Sequence, residues 1–184
     1  MDMFILRHGE AGKRISPGSN DFDRPLTIEG KREVADIAKS LKDIGVKFNF
    51  IITSPLKRAH ETASIVAMTF NKENIMENWN ELKPNVHVDR ELYRKLSQKF
   101  KQDSSILIVG HEPYLSSLIS EIISEDVTSH VVLKKAGLAK IRITSMSIRS
   151  MHGELEWLLT PKLMKNISLH HGNSQKSSMT GNEN

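Results

Sequence analysis

The sequence predicts an α/β fold, a three-layer α/β/α sandwich with a mainly parallel central sheet. Short apolar segments rich in β-branched residues alternate along the chain with longer segments whose apolar residues recur at helical spacing. This alternation is typical of parallel strands that are joined by crossover helices. The 184 residues, of which 38% are hydrophobic and 26% charged, have the length and composition of one ordinary globular domain.

The first predicted strand lies close to the amino terminus. Residues 3–6 form an apolar, β-prone run, and residues 12–26 are rich in Gly, Pro, Ser, Asn and Asp, which predicts a loop. Thr27 is the predicted N-cap of a helix that ends before Gly45, the predicted C′ residue. The apolar residues of this helix fall on one face, at Val34, Ile37, Ala38, Leu41 and Ile44.

Two further strand–helix units follow. Residues 48–53 predict a strand, after which Ser54 would cap a helix that has Pro55 at its first position. Residues 75–79 are predicted as a third strand and residues 87–101 as another helix.

The clearest strand pattern covers residues 106–109. Pro113 is then predicted to begin a helix with an apolar stripe at Leu115, Leu118, Ile119, Ile122 and Ile123. Residues 131–133, 138–143 and 154–159 predict shorter strands that could form an antiparallel edge and the last strand.

We expect one domain over residues 1–167. Residues 168–184 consist mostly of Ser, Asn, Gly, Gln and His with few large apolar side chains, which predicts a disordered tail. His170 and His171 lie in this tail, where an adjacent pair cannot define a metal site by itself.

Composition excludes several classes of function. The chain has no cysteine, so disulfides, thiolate catalysis and Cys-ligated zinc are excluded. The net charge is +4, but aromatic residues make up only 5%, which leaves little for a nucleic-acid stacking platform. No apolar run approaches the roughly 18 residues of a membrane span, and the amino terminus lacks the pattern of a signal peptide. We therefore expect a cytoplasmic protein that binds neither nucleic acid nor a membrane.

Arg7 and His8 follow the first predicted strand. Ligands of open α/β sheets bind beyond the carboxyl ends of the strands, and Gly9 lets the backbone turn and come close to a ligand there. An arginine beside an imidazole suits an anion, phosphate above all. The pattern Arg-His-Gly is weak alone, because three residues recur by chance.

Three further stretches strengthen this interpretation. R-P-L-T-x-x-G at residues 24–30 and T-S-P-x-x-R-A-x-x-T-A at residues 53–63 each open a predicted helix, and G-H-E-P at residues 110–113 follows a predicted strand. Together and in this order, the motifs resemble the histidine phosphatase superfamily, the phosphoglycerate mutase-like enzymes that use a histidine nucleophile. The short chain and the run E-L-K-P at residues 81–84 look most like the small phosphohistidine phosphatases of the SixA type.

The resemblance implies the residues of the site. His8 is the expected nucleophile, and it would form a phosphohistidine intermediate. Arg7, Arg58 and His111 are the expected phosphate pocket, with His111 also a catalytic residue. If the strands that end before His8 and His111 are neighbours, both imidazoles emerge at one edge of the sheet, and the start of the helix that carries Arg58 adds a field that favours anions. Each residue alone has a structural explanation, but the four contexts together favour a catalytic site.

Glu81 is the candidate general acid. Relatives with a larger insertion after the third strand place a glutamate there to protonate an oxygen leaving group. Here only the 23 residues 82–104 separate Glu81 from the next predicted strand. Glu81 is therefore either a proton donor or a charged residue that caps the loop, and the sequence leaves both open.

The motifs predict a phosphatase that acts on phosphohistidine in a protein or on a small phosphate ester. The alternative from another class is a catalytically idle protein of the same fold that binds phosphate or serves as a scaffold. We expect no cofactor and no metal, because arginines supply the positive charge and the sequence shows neither a carboxylate cluster for magnesium nor a Cys/His set for zinc. The sequence does not indicate an oligomeric state.

Overall fold

The structure is a computed structural model that describes residues 1–13, 21–84, 90–124 and 131–166. Within these residues one sheet contains the strands β1 (Asp2–Arg7), β2 (Phe50–Thr53), β3 (Met76–Asn78), β4 (Ser105–Gly110), β5 (Leu138–Met146) and β6 (Met151–Leu159). The main helices are α1 (Ile28–Asp43), α2 (Lys57–Phe70), α3 (Arg90–Lys99) and α4 (Tyr114–Ser124), and a short helix covers residues 161–166.

The strand order in the sheet is β3-β2-β4-β1-β5-β6. The first four strands of this order run parallel, β5 is antiparallel to β1, and β6 is antiparallel to β5. The predicted mainly parallel sheet with an antiparallel edge is therefore confirmed.

The two central strands, β1 and β4, are in a register that pairs Arg7 with Gly110. The amide of His8 continues the ladder by donating to the carbonyl of Gly110 at 3.0 Å. The next residue on β4's side is His111, so the register brings the two motif histidines to the same edge of the sheet.

The sheet is covered on both faces, which confirms the three-layer sandwich. Phe4 and Leu6 of β1 belong to the core that contains α1 and α2, whereas Met3 and Ile5 belong to the core that contains α3 and α4. Successive side chains of a strand point to opposite faces, so the apolar run of β1 supplies both layers. Truncating one such buried side chain to alanine typically costs about 2–5 kcal/mol, so both layers hold β1 firmly.

The start of α1 is packed against the loop that follows β1. As predicted, Thr27 is the N-cap, and its Oγ1 accepts from the amide of Gly30 at 2.9 Å. A Cβ atom on Gly30 would lie 2.2 Å from the carbonyl oxygen of Glu10. Only a glycine therefore fits there, and α1 fixes the backbone just after His8. The helix ends as predicted, with Gly45 at a φ of 80°.

The prediction of a strand at residues 131–133 is wrong. The carbonyl of Leu133 accepts from Nη1 of Arg7 at 2.9 Å, and the amide of Ala136 lies 3.1 Å from the carbonyls of both Arg7 and His8. This segment closes over the end of β1 instead of adding a strand, because its backbone groups bond to the strand's end and to an arginine side chain.

The predicted start of α2 is also wrong. The helix begins at Lys57 with Leu56 as the N-cap residue, not at Pro55. Ser54 lies just after β2, and its hydroxyl bonds to His111 rather than capping the helix. The third strand is shorter than predicted, because residues before Met76 form the 3₁₀ turn Glu73–Ile75.

Residues 87–89 of the predicted third helix and the predicted tail 168–184 lie outside the described residues, as does residue 167, the predicted domain limit. Within the described ranges, no helix has both the length and the apolar character that crossing a bilayer requires.

Candidate active site

His8 and His111 lie side by side beyond the ends of β1 and β4. Their ring centroids are 5.0 Å apart, and their side chains are buried, with 7% and 1% of their surface exposed. Buried polar side chains are normally hydrogen-bonded. The hydrogen bonds of the two imidazoles therefore indicate what each ring can do.

The hydrogen bonds of His8 fix its tautomer. Nδ1 lies 2.7 Å from the carbonyl oxygen of Gly9, which can only accept, so Nδ1 carries the proton. In the neutral ring Nε2 is then unprotonated, and its lone pair accepts a hydrogen bond from Nε of Arg58 at 3.2 Å. The atom of His8 that is free to react is therefore Nε2.

Burial lowers the pKa of His8 to about 4, and the positive charges of Arg58, Arg7 and Arg24 act in the same direction against the opposing hydrogen bond to Gly9. At neutral pH the imidazole is therefore uncharged, although three arginines surround it. A neutral imidazole in a cationic environment is a nucleophile whose target, an anion, is attracted by the same charges.

Arg58 is on the first turn of α2 and is buried, with 3% of its surface exposed. Besides Nε on His8, its Nη1 donates to the carbonyl of Asp21 at 2.8 Å and its Nη2 pairs with Oδ2 of Asp21 at 3.0 Å. Asp21 also pairs through Oδ1 with Nε of Arg24 at 2.9 Å. One carboxylate thus holds two arginines beside His8.

Asp21 is a site residue that the sequence reasoning missed. The arginines lower the pKa of its carboxyl group against the opposing effect of burial, so it is ionised at neutral pH. The one signal available in the sequence was an aspartate three residues before Arg24 in a loop next to the motifs. Such a spacing is common, and its link to Arg58 spans 37 positions of the chain.

Arg7 lies at the end of β1, and Nη1 is held by the carbonyl of Leu133. Its Nε is buried and has no hydrogen-bond partner in the described part of the chain. A buried guanidinium nitrogen without a partner is costly, which makes this atom available for an anionic ligand.

His111, like Arg7, has a buried nitrogen without a hydrogen-bond partner among the described residues. Its Nε2 lies 2.9 Å from Oγ of Ser54, while Nδ1 is buried without a partner among the described residues. Burial, followed by the charges of His8 and Arg58, lowers the pKa of His111 to about 2. Ser54, which the sequence suggested only as a helix cap, is thus the residue that orients this ring.

Gly9, directly after His8, connects the end of β1 to α2. Its amide donates to Oγ1 of Thr62 at 3.1 Å, and Thr62 in turn donates to the carbonyl of Arg58 at 2.7 Å. A Cβ atom on Gly9 would lie 2.8 Å from a methyl carbon of Val34. The space at this position therefore favours glycine, and the contact with Thr62 ties the loop of His8 to the helix of Arg58.

Glu81 lies apart from these residues. It is in the 3₁₀ turn Asn80–Leu82 after β3, and two strands, β2 and β4, separate β3 from β1 in the sheet. Its carboxylate pairs with Nζ of Lys95 at 3.0 Å, and that ammonium also lies 4.3 Å from the ring centroid of Trp79. The hydrogen bonds and ion pairs found for Glu81 do not include Arg7, His8, Arg58 or His111.

No group of three or more His, Asp or Glu side chains that could hold a metal ion occurs among residues 1–13, 21–84, 90–124 and 131–166. The positive charge near His8 comes from arginines. The arrangement can bind a tetrahedral anion, offer Nε2 of His8 to its central atom, and surround its oxygens with nitrogen donors.

Comparison with known proteins agrees with this chemistry. A profile of the histidine phosphatase superfamily (branch 1) matches residues 3–92. An uncharacterised protein of Picosynechococcus is 31% identical over 173 residues, covering 88% of this chain and 98% of that protein. The phosphohistidine phosphatase SixA of Escherichia coli is 26% identical over 167 residues, covering 90% of this chain and 97% of SixA.

Solved structures give the same result. The histidine phosphatase SixA in complex with tungstate superposes with a TM-score of 0.73 at 26% identity, covering 88% of this chain and 98% of SixA. A SixA-like protein of Agrobacterium tumefaciens superposes with a TM-score of 0.69 at 25% identity, covering 87% of this chain and 97% of its own.

Proposed function

The chain belongs to the histidine phosphatase superfamily and is a phosphatase, and we propose that it hydrolyses phosphohistidine in a phosphorylated protein through a covalent intermediate on His8. The observation that carries this proposal is the neutral His8 ring, whose protonated Nδ1 is held by Gly9 and whose Nε2 lone pair faces Arg58.

In the first step Nε2 of His8 attacks the phosphorus in line with the scissile P–N bond. The P–N bond of the substrate breaks, and the substrate imidazole, whose other nitrogen already carries a proton, leaves as a neutral ring with the bonding electron pair, while a phosphoryl group remains on His8. In the second step water attacks the phosphorus, the bond to Nε2 breaks, and inorganic phosphate leaves while His8 returns to its neutral form. Nδ1 of His8 keeps its proton throughout and donates it in a hydrogen bond to the Gly9 carbonyl. This bond stabilises the phosphorylated ring.

Arg58, Arg7 and His111 stabilise the charge on the phosphoryl oxygens. Binding of a phosphoryl group between His8 and Arg58 would move the guanidinium Nε from the imidazole to an oxygen of the ligand. The two buried nitrogens without partners, Nε of Arg7 and Nδ1 of His111, would find acceptors at the same time. Donors of this kind act on developing charge and are typically each responsible for about 10²–10³ in rate.

The phosphohistidine substrate is favoured over an alkyl ester by the leaving group. An alkoxide leaves slowly unless an acid protonates it, an effect worth about 10²–10⁴ in rate, whereas imidazole leaves readily. The candidate acid, Glu81, is held by Lys95 in the described structure. We propose that Glu81 stabilises the loop after β3 and that phosphoramidates are the better substrates.

The experiment compares phosphate release from a phosphohistidine peptide, an aryl phosphate and an alkyl phosphate. His8→Ala is the test variant, and His60→Ala is the matched control, because His60 lies half-buried on α2 and its Nδ1 contacts the hydroxyl of Ser64. Wild type and the control should hydrolyse the phosphohistidine peptide with the highest kcat/KM, and His8→Ala should be inactive. Rapid quenching in alkali should trap labelled phosphate on His8.

The same experiment separates the alternatives. Equal or faster hydrolysis of the alkyl ester, strongly reduced by Glu81→Gln, would make the protein a phosphatase of small esters. Phosphate binding without turnover of any of the three substrates would make it an idle binding protein or scaffold.

A further inference from the structure

We propose that the rim of the active site is a docking surface for an acidic protein, with Lys57 and Lys134 as its charged contacts. The proposal rests on the proposed function and names the surface chemistry of the protein that carries the phosphohistidine.

The two lysines are direct sequence neighbours of residues that form or support the phosphate pocket, on two different segments. Lys57 is the first residue of α2, next to Arg58. Lys134 follows Leu133, whose carbonyl holds Arg7. Both side chains are exposed, and neither has an ion-pair partner among the residues that the structure describes.

The acidic side chains nearest the pocket are already engaged. Glu10 pairs with Lys135 at 2.6 Å, Asp21 pairs with Arg58 and Arg24, and Glu112, next to His111, accepts a hydrogen bond from Ser116. Lys57 and Lys134 are therefore not neutralised by an ion pair among residues 1–13, 21–84, 90–124 and 131–166, and their positive charges add to the field of the arginines. A field of one sign around a site attracts a partner of opposite charge and raises its rate of association.

Apolar side chains complete this rim. Val132, next to Leu133, is 69% exposed, and Phe22, next to Asp21, is 40% exposed. Exposed apolar side chains beside residues of a catalytic pocket favour a protein contact over a site for a small ion. The occupant that fits is a protein surface with carboxylates around an apolar patch and the phosphohistidine at its centre.

The test uses two phosphohistidine peptides that are identical except for flanking glutamates in one and flanking glutamines in the other, together with an aryl phosphate. Lys57→Glu/Lys134→Glu is the test variant. Lys47→Glu/Lys101→Glu is the matched control, because these exposed lysines lie near the amino ends of β2 and β4, at the opposite end of the sheet.

We expect wild type and the control to prefer the acidic peptide by about tenfold in kcat/KM at low salt, with the preference decreasing as salt is added. The test variant should lose this preference through KM and keep its kcat on the aryl phosphate. An unchanged preference in the test variant, or an equal loss in the control, would overturn the proposal.

A binding measurement separates this proposal from the proposed function. Fluorescence anisotropy with the unphosphorylated acidic peptide should show binding to wild type and about tenfold weaker binding to the test variant. If the acidic peptide binds in this way but neither phosphopeptide is hydrolysed, the docking surface stands and the phosphohistidine activity is wrong. If both phosphopeptides are hydrolysed without charge preference and the acidic peptide does not bind, the activity stands and the docking surface is wrong.

Discussion

The two ends of the sheet differ in how their charged and polar groups are satisfied. Near the amino ends of β1 and β4 lies an open groove of about 720 Å³, lined by residues that include Asp2, Lys140 and Trp157. There Lys140 pairs with both Asp2 and Glu156, at 3.0 and 2.8 Å. At the carboxyl end, arginines lie close to the neutral imidazoles of His8 and His111. Nε of Arg7 and Nδ1 of His111 are buried there without hydrogen-bond partners in the described part of the chain.

The comparison shows that size alone is a poor guide to the reactive end of this protein. The groove is roomy, but its Asp2 and Lys140 already pair with each other, so these charges have little left to offer a ligand. The histidine site keeps unsatisfied donors and more positive than negative charges in a small space, which are the conditions that shift pKa values and stabilise a developing anion.

The largest expected effect comes from removing His8, the proposed nucleophile. His8→Ala should abolish turnover of all substrates, because no other group supplies an electron pair at the phosphorus. Lys140→Ala, at the other end of the sheet, should leave kcat unchanged. Steady-state kinetics and circular dichroism of both variants test this difference, and more than trace activity in His8→Ala would end the nucleophile assignment.

The next largest effect is expected from removing the hydrogen-bond donors to the phosphoryl oxygens. Arg58→Ala and His111→Ala should each lower kcat by about 10²–10³, since each removes one preorganised donor to the phosphoryl oxygens. The double variant should lose less than the product of the two, because residues that act together are not additive. Full additivity in single-turnover rates would indicate two independent roles.

Asp21 should matter less than the arginine it holds. Asp21→Asn should lower kcat/KM by about tenfold, because Arg58 keeps its bond to the Asp21 carbonyl but loses the charged half of the contact. Asp21→Glu should recover part of the loss. An unchanged kcat/KM in Asp21→Asn would show that Arg58 is positioned by its other contacts alone.

Glu81→Gln tests the region beyond β3. On a phosphohistidine substrate we expect kcat to change by less than about threefold, while loss of the pair with the partly exposed Lys95 lowers stability by about 0–1 kcal/mol. Thermal melts and initial rates give the two values. A drop of 10² or more in kcat would assign Glu81 to proton transfer.

The smallest expected change is in the protonation of His8 when the pH is lowered. Because the folded-state pKa of His8 is about 4, below the ordinary value of 6.5, the ring should remain neutral from pH 7.5 to about 5. Titration of its Cε1 proton by NMR should show no inflection in this range. The unfolded chain binds the proton first, so the contribution of neutral His8 to stability is full above about pH 6.5 and falls as the pH decreases toward 4. An inflection of the folded protein near 6.5 would contradict the burial argument.

Much of the fold followed from the sequence because its patterns are local. The apolar runs of β1 and β4 and the helical stripe of α1 mark buried elements whatever their neighbours are. Residues 131–133 look like a strand by the same measure, but the hydrogen bond from Arg7 to Leu133 joins positions 126 apart in the chain. No local pattern contains that information.

The residues of the candidate site also fall into those that local motifs predict and those that depend on distant contacts. The motifs marked His8 and Arg58, and the register of β1 and β4 brought the predicted histidines together. Asp21 and Ser54 were not recognised, because their importance comes from distant partners: the hydroxyl of Ser54 meets His111, 57 positions away. Hydrogen bonds of this span appear only once the chain has folded.

The position of β1 in the sheet also constrains how the protein is made. The strand that leads to His8 is translated well before its two sheet neighbours, because β4 and β5 follow it by about a hundred positions or more in the chain. The residues of β1 therefore remain without their sheet neighbours until β4 and β5 have been made, an interval in which an apolar strand is open to incorrect pairing. Shielding of residues 2–7 by a nascent-chain chaperone, or slow refolding of the whole chain from denaturant, would be the cellular and kinetic consequence of building the site on the first strand.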